Sequence, residues 1–354
     1  MSRLKVAAAL AAFALMATGC AVEDAPPASS AAPASGAKLS GSLTVVCGAI
    51  EEVCAAWTKG FEAKTGVKTS FVRLSSGETV ARLAAAKAAP EFDAWHGGPA
   101  DGYGAAAKQD LIEKYVSPNA AKIPDKYKDK DGFWTGVYVG ALGFCSNQKI
   151  LKEKGVDVPD SWDDLLDPKL KGQVATAHPS TSGTAFTLLW TQVVLRGGEN
   201  QAIDWMKKLH VNVLQYSKSG TAPGQTAGRG EVAVGMVFSH DCVLYKERGM
   251  TDLVVSFPKE GTGYEVGGVG LIKGAKNAAN AKAYIDYVLT AEAQEIGPTV
   301  GSYQVLTNPD AKVDSRMVKL SDVNLVNYDF EKSAAAKKDL TARFDAEVAA
   351  QPKS

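Results

Sequence analysis

No sign of charge dominates this chain. Its 39 Lys and Arg balance 39 Asp and Glu, so the formal net charge is zero. Without a basic excess there is no general means of holding nucleic acid by phosphate neutralisation. A charged ligand must be read by a local site. No apolar run reaches the roughly 18 residues that a membrane-spanning helix needs. Histidine numbers only 4 and cysteine only 5. CxxC, HExxH, an EF-hand loop and clustered Cys/His spacings are missing, which leaves a redox motif, a zinc ribbon and a dedicated metal enzyme without support. Walker A, GxSxG and a strand-linked GxGxxG are missing too. What is present is ordinary globular composition, 45% hydrophobic and 22% charged. The 354 residues make about two domains at roughly 150 residues each.

The N-terminus sets the compartment. Residues 1–20 run from basic MSRLK through apolar VAAALAAFALMA to Cys20, the pattern of a signal peptide. Cys20 follows Ala17, Thr18 and Gly19 and resembles a bacterial lipobox, although the family pattern prefers Leu where Ala17 stands. Ordinary secretion with cleavage nearby is the alternative. Residues 21–40 are rich in Ala, Ser and Pro and read as a flexible tether. An exported chain can hold disulfides. Cys47 and Cys54 are the nearest pair, and Cys145 and Cys242 remain for a second bridge. Three complete pairings are possible, and buried free thiols are a further possibility.

Residues 43–49 read as a strand, 51–66 as a helix stopped at Gly66, and 67–74 as a second strand. A helix over 75–89 opens on hydroxyl caps with an acid three residues on. EFDAWHGG (91–98) is a short strand into a glycine turn. Strand and helix alternating in this way predict an α/β parallel sheet. A long apolar strand at 136–147 can carry the chain to a second domain. Residues 173–198 read as strand, hydroxyl-glycine turn and helix, 232–242 as a strand with a polar tip, and the tail after about 331 as helical.

Three hydroxyl-glycine turns recur: Ser76-Gly77-Glu78-Thr79, Ser182-Gly183-Thr184 and Ser219-Gly220-Thr221. The first two open helices. A helix start offers free N–H groups and the positive end of its dipole, and hydroxyls add donors. Such a site takes an anion without a lysine. The plain alternative is ordinary capping. His240-Asp241 ends the 232–242 strand, where α/β sheets bind ligands. Glu265 lies among glycines and apolar residues, and Glu51 and Glu52 follow the first strand. His96 and His178 flank turns and read as structural.

TVVCGAIEEVCAAWTKGFEAKTGVKTSFVRLSSGETVARL resembles the extracellular solute-binding proteins of bacterial ABC importers. DGFWTGVYVGALGF, SWDDLLDPKLKG, AHPSTSGTAF, GRGEVAVGMVFSHD and YEVGGVGLIKGAKN extend the resemblance over about 43–330. The branch is the ferric-iron type, which also holds hexose-phosphate, phosphonate, polyamine and thiamine binders. The resemblance implies a two-lobed α/β fold of the type II periplasmic-binding-protein class, with ligand in the cleft. Two hinge crossings would lie near 140–147 and 262–268. Lobe 1 would be 41–145 with 263–354, and lobe 2 would be 146–262.

Ferric binders usually carry paired tyrosines where this chain has His240-Asp241, which disfavours bare iron. The resemblance implies that Ser76, Thr79, Ser182, Gly183 and Thr184 contact a phosphate, and that His240, Asp241 and Glu265 take sugar hydroxyls. The implied function is capture of a small phosphorylated organic anion, hexose phosphate first. Alternatives are a ferric or other metal-complex binder and an aminoalkylphosphonate, polyamine or thiamine binder. No catalysis, cofactor or metal is implied. The implied partners are the permease and ATPase subunits, with the membrane reached only through the lipid anchor. The expected state is an extracytoplasmic monomer, and a sensory role is compatible with binding.

Overall fold

The computed structural model describes residues 39–353. The expected signal peptide with Cys20, and the expected tether up to residue 38, lie outside the described residues.

The chain opens β1 (Ser42–Cys47), α1 (Glu51–Thr65), β2 (Lys68–Arg73), α2 (Ser76–Ala85), β3 (Ala94–Pro99) and α3 (Ala100–Lys108). Strands β2 and β3 both pair parallel to β1, as the alternation of strand and helix predicts. Helix α1 starts on Glu51 and Glu52, which suit the positive helix end, and stops at Gly66 with φ 75°. After the short β4 (Ile112–Glu113) comes β5 (Thr135–Asn147), 13 residues buried throughout. Then follow α4 (Gln148–Lys154), β6 (Val174–Ala177), α5 (Gly183–Arg196), α6 (Glu199–Asn212), β7 (Val213–Ser217), α7 (Ala222–Gly228), β8 (Val234–Phe238), α8 (Ser239–Glu247) and β9 (Leu253–Ser256). The chain ends with β10 (Tyr264–Ile272), α9 (Ala278–Val288), α10 (Ala291–Gln294), α11 (Ile296–Thr299), β11 (Val305–Leu306) and α12 (Phe330–Phe344).

Strand β5 explains the two lobes. Its first half, to Ala141, pairs antiparallel with β10, which continues to β3 and β1. Its second half, from Leu142, pairs antiparallel with β8 and β9, and β8 leads to β6 and β7. One strand therefore serves two sheets. The return passes beside it: Leu142 N–H donates to the Gly263 carbonyl at 3.0 Å, and Thr262 Oγ1 donates to the Leu142 carbonyl at 2.8 Å. Each lobe has its own apolar core, one around Phe61, Tyr284 and Val45 and the other around Trp162, Phe186 and Met206.

Two expectations need correction, and one strand is unannounced by the sequence. The segment 232–242 is not one strand: β8 ends at Phe238, and His240-Asp241 lie in the first turn of α8. Strand β7 has no counterpart in the sequence reading, because it depends on pairing with β6. The C-terminus does not stay with lobe 1. Leu340, Phe344 and Val348 join the core around Trp162, and Lys353 Nζ donates to the Val213 and Leu214 carbonyls at 2.8 Å. Helix α12 is thus a third crossing, since Lys337 near its middle pairs with Asp101 of α3 at 2.7 Å.

Cys47 is bonded to Cys54 and Cys145 to Cys242. Among the described residues no helix is long and apolar enough to cross a membrane.

Candidate functional site

A narrow cavity of about 40 Å³ opens between the lobes where β5 and β10 pass. Seven of the eight expected ligand residues line it: Ser76, Ser182, Gly183, Thr184, His240, Asp241 and Glu265.

Two helix starts face each other at one end. Ser75 caps α2 in a reciprocal box with Glu78, which fixes the turn that presents Ser76. Ser182 caps α5, its hydroxyl accepting from Ala185 N–H at 3.4 Å, and Gly183 and Thr184 follow. Only glycine fits at 183: an added Cβ would stand 2.7 Å from Pro99 Cδ and 2.9 Å from Ser76 Oγ, both across the cleft. Gly77 N–H also donates across it to the Thr181 carbonyl at 2.9 Å. The lobes are therefore closed on one another here. The third turn joins them, as Gly220 and Thr221 line the same end. Thr79 does not. It is fully buried, and its hydroxyl turns back on its own helix to the Ser75 carbonyl at 3.2 Å.

The other end is made of titratable groups. His240 stacks on Phe238, with ring centres 5.9 Å apart. Its Nε2 lies 3.8 Å from Asp241 Oδ1 and 3.9 Å from Glu265 Oε1, and its Nδ1 has no hydrogen-bond partner. Gly140 of β5 makes room, since a Cβ there would come within 2.8 Å of His240 Nδ1. Burial sets the protonation. It holds the His240 imidazole down to about 3, so the ring is neutral. It pushes the Asp241 carboxyl up to about 7, with Arg73 pulling the other way. Glu265 is pushed well above the carboxylate range by burial first, then by Asp241 and Asp101. This end thus offers both donors and acceptors for hydroxyl groups.

Sequence reading missed Arg73, Tyr138, Ser302 and Gln304. Arg73 ends β2. Its Nε donates to the Ala49 carbonyl at 3.1 Å and its Nη2 to Ser219 Oγ at 3.2 Å, across the cleft. Its place at a strand end just before SSGET was a visible signal. Tyr138 accepts from Gly98 N–H at 2.9 Å. Ser302 and Gln304 carry no signal, because a distant loop brings them in. Glu51 is exposed, and Glu52 pairs with Arg248 at 2.7 Å. His96 is buried against Trp57 and hydrogen-bonded to Tyr284. His178 lies 3.4 Å from Asp345 and does not line the cavity.

The family described as bacterial extracellular solute-binding protein matches residues 90–334. An uncharacterized protein of Haemophilus influenzae is 43% identical over 306 residues, 84% of this chain and 88% of its own length. The periplasmic binding protein AfuA of Actinobacillus pleuropneumoniae, solved with exogenous fructose-6-phosphate bound, is 42% identical with a TM-score of 0.85. The match covers 88% of this chain and 99% of that one. The periplasmic binding protein P5PA is 35% identical with a TM-score of 0.83, over 87% of this chain and 99% of its own. By family match, sequence identity and two-lobed architecture, the chain belongs to the bacterial extracellular solute-binding proteins, of the type II fold.

Proposed function

We propose that this protein captures a small phosphorylated organic anion, a hexose phosphate first, and delivers it to an ABC importer. The observation that carries the reading is the two-ended cavity. Helix starts with Ser76, Ser182, Gly183 and Thr184 make a donor-rich end for the phosphate, without a lysine. Arg73 supplies a cation beside them. His240, Asp241 and Glu265 suit the hydroxyls of the sugar. The fructose-6-phosphate held by AfuA, at 42% identity, supports the same class. Closure of the lobes over the ligand would give the permease and ATPase subunits a loaded form to recognise. The chain would act as a monomer with no catalytic step. We place it outside the cytoplasm, tethered by a lipid on Cys20. Replacing Cys20 by Ala should release it from membranes, and continued membrane retention would refute the anchor.

The test is thermal unfolding of the purified full-length protein against hexose 6-phosphates, inorganic phosphate, aminoethylphosphonate, polyamines, thiamine and ferric citrate. A ligand at 100 times its Kd adds about 2.7 kcal/mol, a shift of several degrees. A rise with hexose phosphate and none with ferric citrate is expected. A rise with ferric citrate alone would overturn the reading and return the protein to metal uptake.

A further inference from the structure

The cavity is built on helix starts, and four of them are held in two ways. Helices α2 and α5 carry hydroxyl caps. Helices α1 and α8 have Ile50 and Phe238 at the cap position, and neither has a side-chain cap hydrogen bond. Each instead carries a half-cystine as the fourth residue of the helix: Cys54 in α1 and Cys242 in α8. Each is bonded to a strand, Cys54 to Cys47 at the end of β1 and Cys242 to Cys145 in β5. All four are buried, at 0–1% exposure.

What each bridge encloses or adjoins belongs to the cavity. The Cys47–Cys54 ring contains Gly48, Ala49 and Ile50, and all three line it. The Ala49 carbonyl accepts from Arg73 Nε, so this ring holds the cation of the donor-rich end. Cys242 directly follows His240 and Asp241, and Cys145 sits on the strand that also carries Gly140, against which His240 packs. No hydrogen bond fixes His240 Nδ1. Its position rests on the stacking against Phe238 and on the backbone of that first turn, and the sulfur bridge ties that backbone to β5.

We propose that the two disulfides are positioning elements for the two ends of the ligand site: Cys47–Cys54 for the anion end, through Ala49 and Arg73, and Cys145–Cys242 for the polar end, through His240 and Asp241. This rests on the functional reading above. A bridge that only stabilises the chain would raise the unfolding midpoint and leave affinities alone. A positioning bridge alters affinity in the folded protein, and alters it differently for different ligands. A displacement near 1 Å is enough to spoil such a site.

The experiment measures affinities of wild type, C47A/C54A and C145A/C242A by calorimetry, well below each unfolding midpoint. The probes are fructose 6-phosphate and inorganic phosphate. C145A/C242A is expected to weaken fructose 6-phosphate tenfold or more and phosphate less than threefold. C47A/C54A is expected to weaken both by a similar factor, at least fivefold. If either alanine pair fails to fold, C145V/C242A and C47V/C54A refill part of the lost volume and are read the same way. Folded variants with lowered midpoints but wild-type affinities for both probes would overturn the positioning role alone. Wild type binding neither probe would overturn the functional reading and this proposal together.

Discussion

His240 and Asp241 are adjacent, and burial moves their protonation in ways that oppose each other in stability. Asp241 has its carboxyl pushed up to about 7. The folded state therefore keeps a proton that the unfolded chain has lost above about 4. Its contribution is fully present at low pH and is lost as pH rises towards 7. His240, held down to about 3, does the reverse. Its contribution is present above about 6.5 and is lost as pH falls towards 3. Between pH 4 and 6.5 the two partly cancel. D241N isolates the acid. Its stability relative to wild type should climb between pH 4 and 7 by up to roughly 1.4 kcal/mol per pH unit. Urea midpoints across that range measure it, and parallel curves for the two proteins would contradict the buried carboxyl. The identity of this pair was readable from its place after an apolar strand. Its neutral, desolvated state was not, since burial is made by β5, β10 and Phe238.

At the scale of elements, the helix starts decide where an anion can sit, and glycine decides how closely they meet. Gly183 belongs to lobe 2, while Pro99 and Ser76, which a Cβ at 183 would crowd at 2.7 and 2.9 Å, belong to lobe 1. G183A should therefore oppose closure without disturbing either lobe. The expected result is at least a tenfold loss of ligand affinity, with the ligand-free unfolding midpoint within about 2 °C of wild type. Wild-type affinity in G183A would mean that the bound lobes stand further apart than here. Both hydroxyl-glycine helix starts were legible, because capping chemistry is local. Thr79 was misjudged for a related reason. Spacing put it on the same helix, but the helix turns its hydroxyl inward to the Ser75 carbonyl.

At the scale of the whole molecule, helix α12 passes between the lobes and carries the buried pair of Lys337 with Asp101. Lys337 Nζ lies 2.7 Å from the Asp101 carboxylate and 3.9 Å from the centre of the Phe186 ring in lobe 2. Burial pushes the Asp101 carboxyl up, while Lys337 and Tyr328 pull it down. K337M would leave that acid buried without its cation, at a cost of about 3–5 kcal/mol. D101N/K337M should recover most of the loss. Chemical denaturation of the three proteins decides it, and a K337M variant as stable as wild type would show that the pair does not join the lobes. By contrast, the Glu52–Arg248 bridge is nearly half exposed on both sides. Such a pair contributes at most about 1 kcal/mol.

The sequence by itself determined the local features: the alternation of strand and helix, the stop at Gly66, the capped starts of α2 and α5, and a polar pair after an apolar strand. Each follows from the backbone and side-chain chemistry of neighbouring residues. It left the cysteine pairing open among three arrangements. Only the tertiary structure chose it, along with the approach of Arg73 to Ala49 and Ser219 and the return of the C-terminal helix to the second lobe. Those depend on which surfaces bury each other across hundreds of residues. Ser302 and Gln304 reach the cavity for that reason, and nothing within a few residues of them announces it.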